Sequence, residues 1–243
     1  MAAPDTTWHV LPHDPLVQLA DNLWEVAGDL PNMALRRRMV IARLGNGDLV
    51  LHNAIALDDA GMAQLEGLGR PAWLVVPNGW HRLDAPRFKA RYPQLQVVCP
   101  RDSRARVAEV VPVTATYDAF PQPEPDAPTV WFESFGDARQ LEGAMCVRSA
   151  DGVTVVLGDS LFNLPHQKGF YWFVYGRLLG ATGGPKVTLI GRLALLRGAA
   201  KPAYRAWLER TAARSDLVRA IPGHGEVITG DVAGALRSVA ASL

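Results

Sequence analysis

The segment Val153-Thr-Val-Val-Leu-Gly-Asp-Ser-Leu-Phe-Asn163 gives the clearest indication of the architecture. It begins with the composition of a buried strand and stops at a glycine that is followed by the carboxylate of Asp159. Further along the chain, Ile221-Pro-Gly-His-Gly225 repeats this design with the imidazole of His224. A carboxylate and an imidazole at the ends of adjacent strands can share a divalent metal. The two segments therefore predict a metal site at one edge of a sheet.

Strand and helix patterns alternate around this segment. Asn46-Gly-Asp48 is a hairpin turn signal, and Asp58 and Asp231 stand where N-caps are expected. The alternation predicts a layered α/β (α+β) architecture in a single domain over residues 1–243, with a helical insertion at about 165–200. The predicted strands cover residues 23–27, 39–44, 49–52, 72–76, 96–99, 129–135, 145–148, 153–157 and 217–221, and the predicted helices cover 58–68, 84–92, 102–110, 203–213 and 231–243.

Composition excludes several classes of function. The net charge of +1 gives no reason to expect a nucleic-acid partner, and 49% hydrophobic with 20% charged residues is ordinary for a globular protein. The first residues lack the basic and apolar regions of a signal peptide. The most apolar stretch, 170–196, is interrupted by Arg177, Lys186 and Arg192, so no transmembrane segment is expected.

The two cysteines, Cys99 and Cys146, are not in a CxxC pair and cannot form a disulfide framework. We interpret both as buried thiols and expect a cytoplasmic protein.

The turn Asn78-Gly-Trp-His-Arg-Leu-Asp84 joins a buried strand to a helix, where α/β proteins place their sites. His81 and Asp84 can ligate a metal there, although Asp84 is equally explained as a helix cap and His81 as a solvated loop residue. The partner of Asp159 can be a metal, a backbone N–H group or Arg192, because an unpaired buried charge is costly. His224 is a candidate ligand or general base, or simply closes a turn.

The remaining polar candidates flank this site. His52, at a strand end, is either a group behind the site or a solvent-facing residue, and His166 follows Asn163 in a loop that can cover the site. The basic run 36–38 is predicted to be a solvated hairpin loop, with an anion contact as the alternative.

These segments resemble the metallo-β-lactamase superfamily in their order along nearly the whole chain. The resemblance implies a four-layer αββα sandwich with two mixed β-sheets and helices outside. It also implies that Asp159 is similar to the family's metal-bridging aspartate and His224 to its last histidine. The family's HxHxDH motif is replaced here by the turn at 78–84 with one histidine, and residues 111–149 contain no histidine. The chain therefore resembles a degenerate branch with an incomplete metal motif, in which PN-x-x-H, D-x-L-F-N and HG remain.

The resemblance implies a reduced, mononuclear site with catalytic Asp159 and His224. Its metal ligands would be His81, Asp84, Asp159 and His224, and its substrate contacts would be Asn78, Asn163 and His166. One zinc, or iron or manganese, would support hydrolysis of a small ester, lactone or phosphoester.

Two other functions remain open. In the first, the metal site has decayed and the protein is a non-catalytic binding or scaffold module. Residues 170–196, with Trp172, Phe173 and Tyr175 beside 178–179, would then form a partner, homodimer or lipid-facing surface. In the second, Gly158-Asp-Ser-Leu161 resembles the motif of GDSL-type serine esterases, with Ser160 as the nucleophile. The late position of this motif argues against that family.

Overall fold

Apolar runs in the N-terminal half form the first of the sheets in a computed structural model, which describes residues 4–136, 139–166, 169–173, 176 and 180–243. This sheet keeps the strands in sequence order, antiparallel as far as the fourth strand and parallel after it. Its strands are β1 (Val17–Ala20), β2 (Leu23–Leu30), β3 (Met33–Arg43), β4 (Asp48–His52), β5 (Arg70–Val75), β6 (Gln96–Cys99) and β7 (Ala115–Thr116).

Two further sheets follow in the C-terminal half. The larger has the order β13-β10-β9-β8 and the smaller β12-β11-β14. The parallel pairing of β10 with β13 brings the carboxyl ends of these two strands together. The strands are β8 (Val130–Ser134), β9 (Gly143–Ser149), β10 (Gly152–Val156), β11 (Phe162–Leu164), β12 (Gly184–Lys186), β13 (Leu217–Ile221) and β14 (His224–Gly225).

Helices cover the outer faces of the two larger sheets. Leu65 and Phe88 pack on the outer face of the first sheet, and Trp207 and Leu236 pack on the outer face of the second. The inner faces meet in a core that contains Val75 and other first-sheet residues together with β9 and β10. The helices are α1 (Asp59–Leu68), α2 (Ala85–Arg91), α3 (Arg104–Ala108), α4 (Phe170–Phe173), α5 (Leu189–Ala194), α6 (Ala200–Ala212) and α7 (Val232–Ser242). The predicted αββα layering is thus confirmed.

The structure differs from the sequence prediction in several segments. The basic run 36–38 is not a solvated hairpin loop; it lies within β3, and Arg37 is 4% exposed. The region predicted as a helical insertion also contains β12, which pairs with β11. Within residues 102–110, a 3₁₀ turn precedes the shorter helix α3.

The proposed partner surface lies only partly within the described residues. Trp172 is half-buried and packs on a small cluster that includes Phe162, whereas Phe173 is 55% exposed. Tyr175 and residues 178–179 lie outside the described residues. Among the described helices, none is long and apolar enough to span a bilayer.

Candidate metal centre

Asp159 and His224 meet because their strands run parallel. Beyond the ends of β10 and β13, the backbones remain in contact, with Gly223 N donating to Gly158 O at 3.2 Å. His224 then pairs with Phe162 through β14 and β11. A side chain at position 225 would not fit, since a Cβ there would lie 2.1 Å from the Asn163 carbonyl oxygen. The glycine after His224 thus permits the close pairing that aims the imidazole at Asp159.

His81 reaches the same point from the turn that follows β5. Asn78 holds this turn, because its Oδ1 accepts hydrogen bonds from the backbone N–H groups of Trp80 at 2.9 Å and His81 at 3.2 Å. Its Nδ2 donates to Asp159 Oδ2 at 3.0 Å. One buried amide therefore positions two of the candidate ligands together.

The three side chains converge on a single carboxylate oxygen. Asp159 Oδ1 lies 2.9 Å from His81 Nε2 and 3.2 Å from His224 Nε2. One ligand atom from each of the three lies within 4.8 Å of the other two. Two imidazoles and a carboxylate at this spacing form a donor set suited to one transition-metal ion.

The hydrogen bonds of His224 favour a cation at this point. Its Nδ1 lies 2.6 Å from the backbone carbonyl oxygen of Arg36, which can only accept, so Nδ1 must carry the proton. In the neutral ring, Nε2 then presents a lone pair to the carboxylate of Asp159. Two lone pairs at that distance repel each other unless a proton or a metal ion lies between them. The residues present therefore fit a bound metal ion.

The electrostatics of the cluster favour an ionised carboxylate. Burial opposes the ionisation of Asp159, but the charge of His81 and the contacts of both imidazole rings with this carboxylate hold the pKa of Asp159 well below its usual range. Burial also acts to lower the pKa of His81, yet the charge and hydrogen bond of Asp159 prevail and raise that pKa. Without a metal, the cluster thus retains protons that a metal ion would displace.

Glu142 is a residue of the candidate site that the sequence analysis did not single out. Its buried carboxylate accepts the backbone N–H groups of Gly158 at 3.0 Å, Asp159 at 2.8 Å and Ser160 at 2.9 Å, and the Nδ2 of Asn78 at 2.8 Å. Burial and the charge of Asp159 raise the pKa of Glu142, and the hydrogen bonds oppose that rise. Glu142 therefore fixes the backbone that carries Asp159. The available signal was an acidic residue directly before the apolar strand β9.

Asp84, predicted as a metal ligand or a helix cap, stands at the N-cap position of α2, but its side chain makes no cap hydrogen bond and it lies outside the cluster of candidate ligands. Its carboxylate is 1% exposed and lies between Arg37, which donates to Oδ2, and Arg87, whose Nη1 lies 2.5 Å from Oδ1. Oδ2 also accepts the N–H of Ala56 at 3.0 Å, and no side-chain bond caps α2. Because the two arginines and this N–H group already occupy both oxygens, Asp84 belongs to a buried ion-pair network.

A cavity of about 500 Å³ opens onto the three candidate ligands. Its walls come from the β2–β3 hairpin, the turn after β5 and helix α5. Thr188 caps α5 by accepting the N–H of Gly191 at 3.0 Å, and a Cβ at Gly191 would lie 3.0 Å from the Asp159 carbonyl oxygen. Glycine there lets the helix lie directly over the site. The apolar wall includes Leu30, Met33, Leu35, Leu83, Phe162 and Ile190.

The structure does not bring the predicted substrate-binding residues to this cavity. Asn78 is fully buried with both ends of its amide engaged, so it acts on the ligands. Asn163 donates to the carbonyl of Glu226 at 2.9 Å, and His166 contacts Thr182 Oγ1 at 3.2 Å. Neither of these two side chains lines the cavity.

Two other candidates are buried. Ser160 is fully buried, and its Oγ has no hydrogen-bond partner among the described residues, so the serine-esterase alternative lacks an activated nucleophile. His52 is 2% exposed and does not face solvent. Burial, aided by the charge of His81, lowers the pKa of His52 to about 3.

Comparison with known proteins supports the fold. No protein-family model matches the chain, and no curated protein matches it significantly. Among solved structures, a metallo-β-lactamase from Erythrobacter litoralis is 12% identical with a TM-score of 0.63, over 94% of this chain and 96% of that one. FIM-1 from Pseudomonas aeruginosa, in a mono-zinc form, is 14% identical with a TM-score of 0.60, over 96% of each chain. The DIM-1 metallo-β-lactamase is 10% identical, also at 0.60, over 96% of this chain and 99% of that one.

Proposed function

We propose that this chain, which has the metallo-β-lactamase fold, is a metal-dependent hydrolase with a mononuclear site and acts on a carboxylic ester or lactone. The observation that carries this proposal is the convergence of two imidazoles on one oxygen of Asp159 at the floor of a cavity. The FIM-1 structure is a mono-zinc form, so occupancy by a single zinc is compatible with this fold.

His81, Asp159 and His224 would hold the ion, with zinc preferred and iron or manganese as alternatives. A divalent ion with an open coordination position lowers the pKa of a bound water and polarises a carbonyl. The second oxygen of Asp159 is engaged by Asn78, which leaves Oδ1 for the ion. A single ion is therefore expected instead of a bridged pair.

The residues around the site hold the candidate ligands in place and make the surroundings of the reacting carbonyl apolar. Glu142 and Asn78 hold Asp159 in place, and the Arg36 carbonyl sets the tautomer of His224. The apolar walls offer water few hydrogen-bond partners inside the cavity. In the hydrolysis, the hydroxide of a water molecule bonds to the acyl carbon, and the bond between that carbon and the ester oxygen breaks. The ester oxygen leaves as an alcohol and takes the remaining proton of the water.

Metal content tests this proposal directly. Protein purified without added metal should carry about one transition-metal ion per chain by elemental analysis. His224→Ala and Asp159→Asn should lose the metal and any esterase activity while circular dichroism keeps its native shape. His166→Ala is the matched control, because His166 lies in the same half of the chain but outside the cluster.

Other outcomes of the metal measurement would favour the binding or scaffold function, or would remove only the proposed reaction. Protein that takes up no metal even when zinc is added, and whose unfolding is unchanged by a chelator, would argue against a hydrolase and for a binding or scaffold module. Metal binding without turnover of any ester or lactone would leave the metal site standing and remove the proposed reaction.

A further inference from the structure

The cavity over the candidate ligands has apolar walls built by three separate parts of the fold. The β2–β3 hairpin contributes Met33 and Leu35, the turn after β5 contributes Leu83, and α5 contributes Ile190 and Ala194. These walls surround a floor made by the imidazole and carboxylate groups. A ligand that fills this space must therefore present hydrocarbon to the walls and one polar group to the floor.

The same cavity offers little to a second charged group. Apart from the candidate ligands, Arg37 is the one charged side chain among the described residues that line the cavity. The guanidinium of Arg37 is already paired with Asp84. A phosphate or free carboxylate bound away from the floor would lose its hydration without gaining an unpaired cation. This disfavours substrates that carry a second charged group beside the reacting one and favours neutral esters.

The mouth of the cavity is also apolar. Met33, Trp80 and Ile190 all line it and are 43%, 45% and 52% exposed. Three large apolar side chains that border one opening form a surface that a hydrocarbon chain can cover. The guanidinium of Arg106 stacks over the Trp80 ring at 5.2 Å, which holds the ring at this position.

We infer that the site selects neutral carboxylic esters by a medium-length, unbranched acyl chain that lies against these walls. The inference rests on the proposed hydrolysis for the placement of the ester carbonyl over the candidate ligands. Binding of the hydrocarbon itself depends only on the walls, and this allows the two ideas to fail separately.

The first test is a series of p-nitrophenyl esters from acetate to octanoate with the metal-loaded protein. Full burial of each added methylene corresponds to about a fourfold gain in kcat/KM, or about 4,000-fold for the six methylenes between acetate and octanoate. The octanoate should therefore exceed the acetate by at least about a hundredfold even if little more than half of this surface is buried. Ala194→Phe fills the cavity and should remove most of this preference. Leu193→Ala is the matched control on the same helix, because Leu193 is 60% exposed and does not line the cavity.

The second test needs no metal or turnover. N-phenyl-1-naphthylamine, an uncharged apolar fluorophore, should bind to protein freed of metal, with a blue-shifted emission that octanol reverses. Ala194→Phe should weaken this binding at least tenfold, and Leu193→Ala should leave it within about twofold.

The outcomes separate the inference from the proposed function. If the fluorophore binds as expected but no ester is hydrolysed, the apolar ligand class stands and the hydrolase function is wrong. If all esters react with equal kcat/KM, or the fluorophore does not bind to the cavity, the selectivity for an acyl chain is overturned even though hydrolysis remains.

Discussion

Replacing Asp84 by asparagine would remove the one negative charge that lies between two buried arginines. The side chains of Asp84, Arg37 and Arg87 are 1%, 4% and 9% exposed, so little water can replace the lost charge. Asparagine keeps the shape and one oxygen, which can still accept the N–H of Ala56. The main consequence is therefore electrostatic, because Arg37 is left buried without its ion-pair partner.

The expected cost follows from this burial. Removal of one partner from a buried ion pair lowers the free energy of unfolding by about 3–5 kcal/mol, since the remaining charge is uncompensated. A domain of this kind has about 5–15 kcal/mol in total. At about 2–4 °C per kcal/mol for a chain of this size, Asp84→Asn should lower Tm by roughly 6–20 °C. Metal content should remain at the wild-type level, since Asp84 is not in the cluster.

Urea unfolding followed by tryptophan fluorescence measures the first quantity, and elemental analysis of the folded protein measures the second. Asp14→Asn is the matched control, because Asp14 pairs with Arg36, which precedes Arg37 in β3, at 2.7 Å on the surface. An exposed pair contributes less than about 1 kcal/mol, so this variant should be nearly as stable as the wild type.

Two results would refute the reasoning. A loss of metal from Asp84→Asn at unchanged stability would show that Asp84 is a ligand, as the sequence pattern first suggested. A change of less than about 1 kcal/mol with metal retained would show that the arginines find other partners or water, and that the buried network does not stabilise the fold as the geometry indicates.

Two further predictions concern buried groups around the site. The pKa of His52 is about 3 in the folded protein against an ordinary 6.5, so the unfolded chain takes up the proton first and stability should fall by about 1.4 kcal/mol per pH unit between about pH 6.5 and about pH 3. His52→Leu should reduce this slope in pH-dependent urea unfolding, and an unchanged slope would exclude His52 as its cause. Glu142→Gln replaces an acceptor oxygen by an amide that faces backbone N–H donors, so it should weaken metal binding about 10–100-fold in a chelator competition. Wild-type affinity in that variant would show that Asp159 does not need this support.

Much of the fold follows from local sequence patterns. The hairpin at Asn46-Gly47, the N-caps Asp58 and Asp231, and the apolar runs of the two inner sheets all lie where their residue types predict. The short strands β11, β12 and β14 could not be predicted, because their two or three residues carry no periodicity and depend on pairing with distant segments.

The residues of the candidate site likewise include some that local sequence patterns predict and some whose roles these patterns do not show. Asp159 and His224 were predictable because each ends an apolar strand, and strand ends gather at one edge of a sheet. The roles of Glu142 and Asp84 were not, because a carboxylate looks the same in sequence whether it binds a metal, caps a helix, neutralises arginines or holds a backbone. Distances to partners far along the chain distinguish these roles: Asn78 and Gly158 for Glu142, and Arg37 for Asp84.

The amino-acid order was sufficient for the layered architecture and for three of the metal-ligand candidates, His81, Asp159 and His224, since these depend on short-range patterns of apolar and polar residues. The ion-pair network around Asp84, the hydrogen bonds of Glu142 and the apolar walls above the site arise from packing between segments that are distant in sequence. Long-range contacts of this kind set which polar groups are paired and which remain free to bind a metal or a substrate, and a linear pattern does not contain that information.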